Sequence, residues 1–259
     1  TLGALSNLMP VDLSWLYQPF LALVSGSTAL AGYSLLRRVL SQRPLRAVAA
    51  LVAAQPNVLI GYAVAGGIKE LCTASFLVLT AALFALPSFR PKLGIAGRTT
   101  LAVPIAIAAT FASLTLTTLP WLGVLCVGFA LTYTVLQPGR AARLRALAGS
   151  AQIGVVAFVL SVPTFVAAFR LLPAVKGTGP LELGNLAAPI PGISAAGVWI
   201  TGDLRYPQYA HRGISETIAI LVLVLAAIGV LWALRRRHWS LFWLGAAGGI
   251  SLYYVAHRY

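Results

Sequence analysis

Apolar runs of about twenty residues divide this chain, and short basic clusters separate them. A bilayer's hydrocarbon core is about 30 Å thick, which about twenty helical residues cross. Inside lipid every backbone polar group needs a partner within the protein, so only helices and closed barrels span it. Barrel strands are read as alternating segments of about ten residues. These runs are twice that length and do not alternate. The fold class is therefore all-α, a polytopic helical membrane protein. Composition agrees, with 59% hydrophobic and 9% charged residues and a mean hydropathy of +0.88. A soluble domain carries about 25% charged residues.

Eight spans are expected, in one transmembrane domain covering 1–259. The first runs from Trp15 to Leu36, with Trp15 and Tyr17 as interface anchors. Gly26 and Gly32, with Ser25 and Ser27, make one side of it small enough for close helix packing. The second runs from Ala47 to Ala65, and Gln55-Pro56-Asn57 interrupts it. That interruption reads either as a kink satisfied by a neighbouring helix or as the polar wall of a cavity. The third begins near Gly67 and ends near Leu86, and the fourth covers Thr99 to Thr118. Leu119-Pro120-Trp121 reads as a tight turn into the fifth span, which ends at Leu136. The sixth is Ser150 to Leu172, the seventh Glu216 to Leu234 and the eighth Trp239 to Ala256. Residues 173–215, rich in Gly and Pro, form one long external loop between the sixth and seventh spans.

The net charge of +14 follows from topology rather than from nucleic-acid binding. Lys and Arg collect in cytoplasmic loops of membrane proteins. Basic clusters follow the first, third, fifth and seventh spans, and that alternation requires eight spans with both ends outside. It also puts every carboxylate of the chain, namely Asp12, Glu70, Glu182, Asp203 and Glu216, on the outer half. Acidic residues contribute little to topology, so the rule itself does not sort them.

Two groups of residues carry possible chemistry. Lys69 and Glu70 interrupt a long apolar stretch. A charge at the bilayer centre costs about 2.5–3.5 kcal/mol on insertion scales, so the pair marks an interface or points into a polar cavity. At an interface Glu70 suits a helix N-terminus, where the dipole favours a carboxylate. The second group is Trp199, Asp203, Arg205 and Tyr206 in the long loop. Aromatic faces beside a carboxylate and a guanidinium suit a sugar. The same residues also suit a structural turn. Apolar side chains of this loop, Trp199 among them, are expected to pack over the outer ends of the spans. Cys72, Cys126, His211, His238 and His257 are too scattered for metal-ligand spacing or a disulfide framework, so neither metal nor cofactor is expected.

Gly61-Tyr62 followed by Gly66-Gly67-Ile68-Lys69-Glu70 resembles a pattern in bacterial, chiefly actinobacterial, multi-pass glycosyltransferases of the GT-C class. The segment Gly197-x-Trp199-x-x-Gly202-Asp203-x-Arg205 resembles a later loop of the same proteins. The resemblance implies an enzyme of the cell envelope. It would move a sugar from a polyprenyl-phosphate donor to a glycan or lipid acceptor outside the cytoplasmic membrane. By that resemblance Lys69 is expected to stabilise the leaving phosphate, with Arg205 second, in a cavity lined by Tyr62, Lys69, Glu70, Trp199, Asp203 and Arg205. Partners would be membrane lipid, donor and acceptor, and not nucleic acid.

The family's catalytic Asp usually stands in the first external loop, and no matching acidic pair is present here. A piece of a longer chain that begins after that loop is the simplest expectation, which leaves the catalytic base unknown. The alternatives are a membrane transporter or lipid flippase, for which Gln55-Pro56-Asn57 and Gly66-Gly67 would break helices at a site, and a non-catalytic membrane subunit.

Overall fold

The computed structural model of the chain describes residues 12–54, 67–86, 98–177 and 212–258. Eight α-helices lie among the described residues. They are α1 (Leu13–Leu35), α2 (Arg43–Ala54), α3 (Ile68–Ala85), α4 (Arg98–Leu114), α5 (Leu119–Val135), α6 (Arg140–Gly177), α7 (Arg212–Arg235) and α8 (Trp239–Arg258). Short 3-10 turns follow α1 and α4. Strands are absent among these residues. The chain is an all-α helical membrane protein. Five helical stretches are long and apolar enough to cross a bilayer: Trp15–Arg38, Ile68–Ala85, Leu101–Val135, Arg140–Arg170 and Glu216–Arg235.

Helix α3 is the hub, packing against α1, α4, α5 and α8. Helix α4 also packs on α6, α5 on both α8 and α6, and α7 chiefly on α8. The shared core joins Ala31 and Leu35 of α1, Leu77, Ala81, Ala82 and Phe84 of α3, Val103 of α4, Leu122 and Leu125 of α5, and Ile153 of α6. Small residues let backbones approach, as expected where lipid supplies no hydrophobic drive between helices. Gly32 of α1 meets Ala50 of α2, whereas Gly26 meets none of the described residues. Among the described residues, the small-residue side expected of the first span is thus in contact at one of its two glycines.

Several buried hydroxyls bond inside their own helices, although Thr134 Oγ1 is buried without a hydrogen-bond partner among the described residues. Thr80 donates to the Phe76 carbonyl at 2.8 Å, Thr110 to Ala106 at 2.7 Å and Ser161 to Ala157 at 2.7 Å. This back-bonding lets polar residues occupy an apolar environment without an unpaired group. Apolar side chains are meanwhile left uncovered on α6 and α7, among them Phe158, Val159, Phe169, Leu221, Val224, Leu225 and Ile228. So large an uncovered apolar face is unusual in a soluble monomer and ordinary against lipid.

Three boundaries differ from the sequence-based expectation. The change of direction expected at Leu119-Pro120-Trp121 lies earlier, at Leu114 (φ −125°) and Thr115 (φ 56°). Pro120 instead starts α5, where its missing N–H costs nothing. The third basic cluster is helical rather than a loop, because α6 begins at Arg140 and its Ala, Arg and Leu residues are good helix formers. The long loop is shorter at both ends than expected, since α6 continues to Gly177 and α7 starts at Arg212. Residues 178–211 lie outside the described residues, and so does the Gln55-Pro56-Asn57 interruption.

Candidate functional site

Lys69 and Glu70 occupy the first turn of α3. Gly67 precedes the helix without a side-chain cap. Lys69 is exposed and Glu70 is half-buried. The Lys69 carbonyl accepts a bond from Thr73 Oγ1 at 2.8 Å, so the turn is closed within the helix. The helix start expected here from the dipole argument is present, with a carboxylate in its first turn. Tyr62, Trp199, Asp203 and Arg205 lie outside the described residues. The structure therefore describes two of the six expected binding residues, adjacent in sequence at one helix end.

The other end of α3 borders a cavity of about 410 Å³. Four parts of the chain line it. Leu35 and Arg38 come from the end of α1 and its 3-10 turn, and Phe84, Ala85 and Leu86 from the end of α3. Phe129, Thr132, Tyr133, Leu136 and Gln137 come from the end of α5, and Arg237, His238, Trp239, Ser240 and Leu241 from the α7–α8 connection. The ends of the first, third and fifth spans and the connection after the seventh thus meet at one end of the bundle, and arginines of the first and fourth basic clusters line the cavity. Roughly 22 Å of helix, at 1.5 Å per residue, separates Lys69 from Phe84. The Lys69–Glu70 turn stands at the opposite end of α3 from this basic cavity.

Local chemistry shapes the cavity. Helix α7 ends in a Schellman turn: the His238 N–H reaches the Ala233 carbonyl at 2.8 Å, and the Arg237 N–H reaches Leu234 at 3.1 Å. The left-handed residue of that turn, usually Gly, is Arg237 at φ 59°. The His238 ring stacks on Trp232 with centroids 5.1 Å apart. The His238 carbonyl opens α8 by accepting from the Phe242 N–H at 3.0 Å. Across the cavity, Phe84 and Phe129 stack at 4.2 Å. Gln137 Nε2 donates back to the Tyr133 carbonyl at 3.2 Å. Among the described residues, none that lines the cavity is acidic.

Sequence reasoning missed this cavity because it used the basic clusters only as topology markers. One signal was available: Arg235-Arg236-Arg237-His238 joins two apolar runs with no Gly, so a non-Gly residue has to take any left-handed turn there. Near α2 the same end holds a further cation. Arg46 is buried, with its guanidinium carbon 4.7 Å from the Tyr33 ring centroid and Nη2 donating to the Ser41 carbonyl at 3.2 Å. Cys72 and Cys126 are free thiols, and no cluster of His, Cys, Asp and Glu suited to a metal occurs among the described residues.

No known protein family, curated protein or solved structure matches this chain.

Proposed function

We propose that this chain is part of an integral membrane glycosyltransferase that moves a sugar from a polyprenyl-phosphate donor to an acceptor on the outer face of the cytoplasmic membrane. The observation that carries this reading is Lys69. It is an exposed cation in the first turn of a membrane helix, at the end away from the basic clusters. The positive-inside bias assigns the basic end to the cytoplasm and the Lys69 end to the outside. A helix N-terminus already favours an anion, and a lysine there adds a point charge suited to phosphate. In this reading Lys69 holds the donor phosphate as it leaves, and Glu70 orients a sugar hydroxyl or a neighbouring donor. Tyr62, Trp199, Asp203 and Arg205 complete the site by the resemblance of their segments to GT-C enzymes. The base that deprotonates the acceptor is not among these residues.

The test uses the full-length protein in lipid with a polyprenyl-phosphate sugar. Losing a charge-assisted contact to phosphate costs about 1.5–3 kcal/mol, so Lys69→Met raises the donor concentration needed for transfer roughly ten- to hundred-fold. The variant should insert and fold as the parent does, because Lys69 is exposed. Unchanged transfer kinetics would remove Lys69 from the site. Absence of any sugar transfer by the parent would overturn the enzyme reading in favour of a transporter or a non-catalytic subunit.

A further inference from the structure

We infer that the cavity at the basic end binds the phosphate of an anionic phospholipid from the leaflet on that side. The inference does not depend on glycosyl transfer at the opposite end. Three observations carry it.

The first is charge. Arg38 and Arg237 line the cavity with His238, and no carboxylate lines it among the described residues. Arg38 and Arg237 both border this one small concavity, and an anion bound there offsets the like charge they bring to it. Guanidinium groups also match phosphate oxygens in geometry.

The second is the backbone at Arg237. A left-handed residue that is not Gly, Asn or Asp carries strain, of the kind that persists where the side chain has work to do. Gly at this position would close the same Schellman turn without strain. The cavity gains a cation in exchange. The first turn of α8 also begins at the cavity, through Trp239, Ser240 and Leu241, so its free N–H groups add to the positive field.

The third observation separates a lipid from a soluble phosphate. The cations share the cavity with Leu35, Leu86, Leu136 and Leu241, at the ends of membrane helices. Tyr133 and Trp239 in the same wall are the amphipathic aromatics that favour the headgroup level. A lipid satisfies both kinds of wall, with its phosphate on the arginines and its glycerol and upper acyl carbons on the leucines. Basic pockets between membrane helices are known to take acidic headgroups. A volume of about 410 Å³ fits a headgroup but not a whole lipid, whose chains would lie along the exposed apolar flanks.

The experiment uses purified protein in neutral detergent, with thermal unfolding and native mass spectrometry as readouts. Phosphatidylglycerol should stabilise the protein saturably and remain bound as a discrete adduct, whereas phosphatidylcholine should do neither at the same concentration. Arg38→Gln and Arg237→Gly should each weaken the phosphatidylglycerol response about ten- to hundred-fold. Arg237→Gly is the diagnostic variant, because relaxing the turn should leave the lipid-free protein at least as stable as the parent. Arg145→Gln, an exposed arginine of α6 outside the cavity, serves as control and should respond like the parent. The inference falls if Arg237→Gly binds phosphatidylglycerol like the parent, or if Arg145→Gln loses as much affinity as it does. Equal stabilisation by inorganic phosphate at matched concentration would also overturn it, assigning the cavity to a free phosphate.

Discussion

The indole of Trp243 lies directly on Gly128, so a methyl group at position 128 would overlap the ring. The same indole donates from Nε1 to Thr132 Oγ1 at 3.0 Å. Four residues apart on α5, Gly128 supplies the space and Thr132 the acceptor, on one face of the helix. Gly128→Ala should therefore displace a rigid ring and strain the α5–α8 contact. Overpacking of this kind costs about 1–3 kcal/mol. The check is a thermal melt in detergent, where Gly128→Ala should unfold earlier than Gly123→Ala, whose position is open. Equal melting of the two variants would contradict the packing described.

At the other end of the same helix pair, Trp121 Nε1 donates to Ser251 Oγ at 2.7 Å. The two bonds join early α5 to late α8 and late α5 to early α8, so the helices run antiparallel. A double-mutant cycle with Trp121→Phe and Ser251→Ala should give a coupling of about 0.5–1.5 kcal/mol. Zero coupling would mean that the bond does not hold these ends together in lipid.

Arg46 is buried with a charge, and its face partner is Tyr33. Cation–π contacts that are desolvated reach about 2 kcal/mol. Tyr33→Leu should cost stability in the parent and cost less by that order in an Arg46→Met background. The comparison of the two melting shifts isolates the contact from the loss of ring area.

Orientation is checked by labelling. In a background with Cys72 and Cys126 replaced, a membrane-impermeant thiol reagent added to intact cells should modify Lys69→Cys. Arg236→Cys should react only after the membrane is opened. Both positions are exposed, so access rather than burial decides the outcome. The reverse pattern would invert the positive-inside assignment.

Sequence by itself determined the class and most of the elements. Long apolar runs admit only helices in lipid, and α1, α3, α4, α5, α7 and α8 begin and end within a few residues of the limits that hydropathy sets. The first turn of α3 was legible too, since Gly66-Gly67 ahead of Lys69-Glu70 marks a helix start. The errors fall where local preference and charge counting conflict. Arg140, Arg143 and Arg145 count as a topology loop, yet their backbone is free to be helical, because a charged residue at the interface reaches water from a helix as well as from a loop. What only the tertiary structure decided is which basic residues face one another. Arg38 and Arg237 are almost two hundred positions apart in sequence, and periodicity within either segment carries no information about the other. Packing of α1, α5 and α8 around α3 brings them to one cavity. Helix packing is set by shape between surfaces, by Gly128 under Trp243 and Gly32 against Ala50, and such complementarity exists only once both surfaces are present.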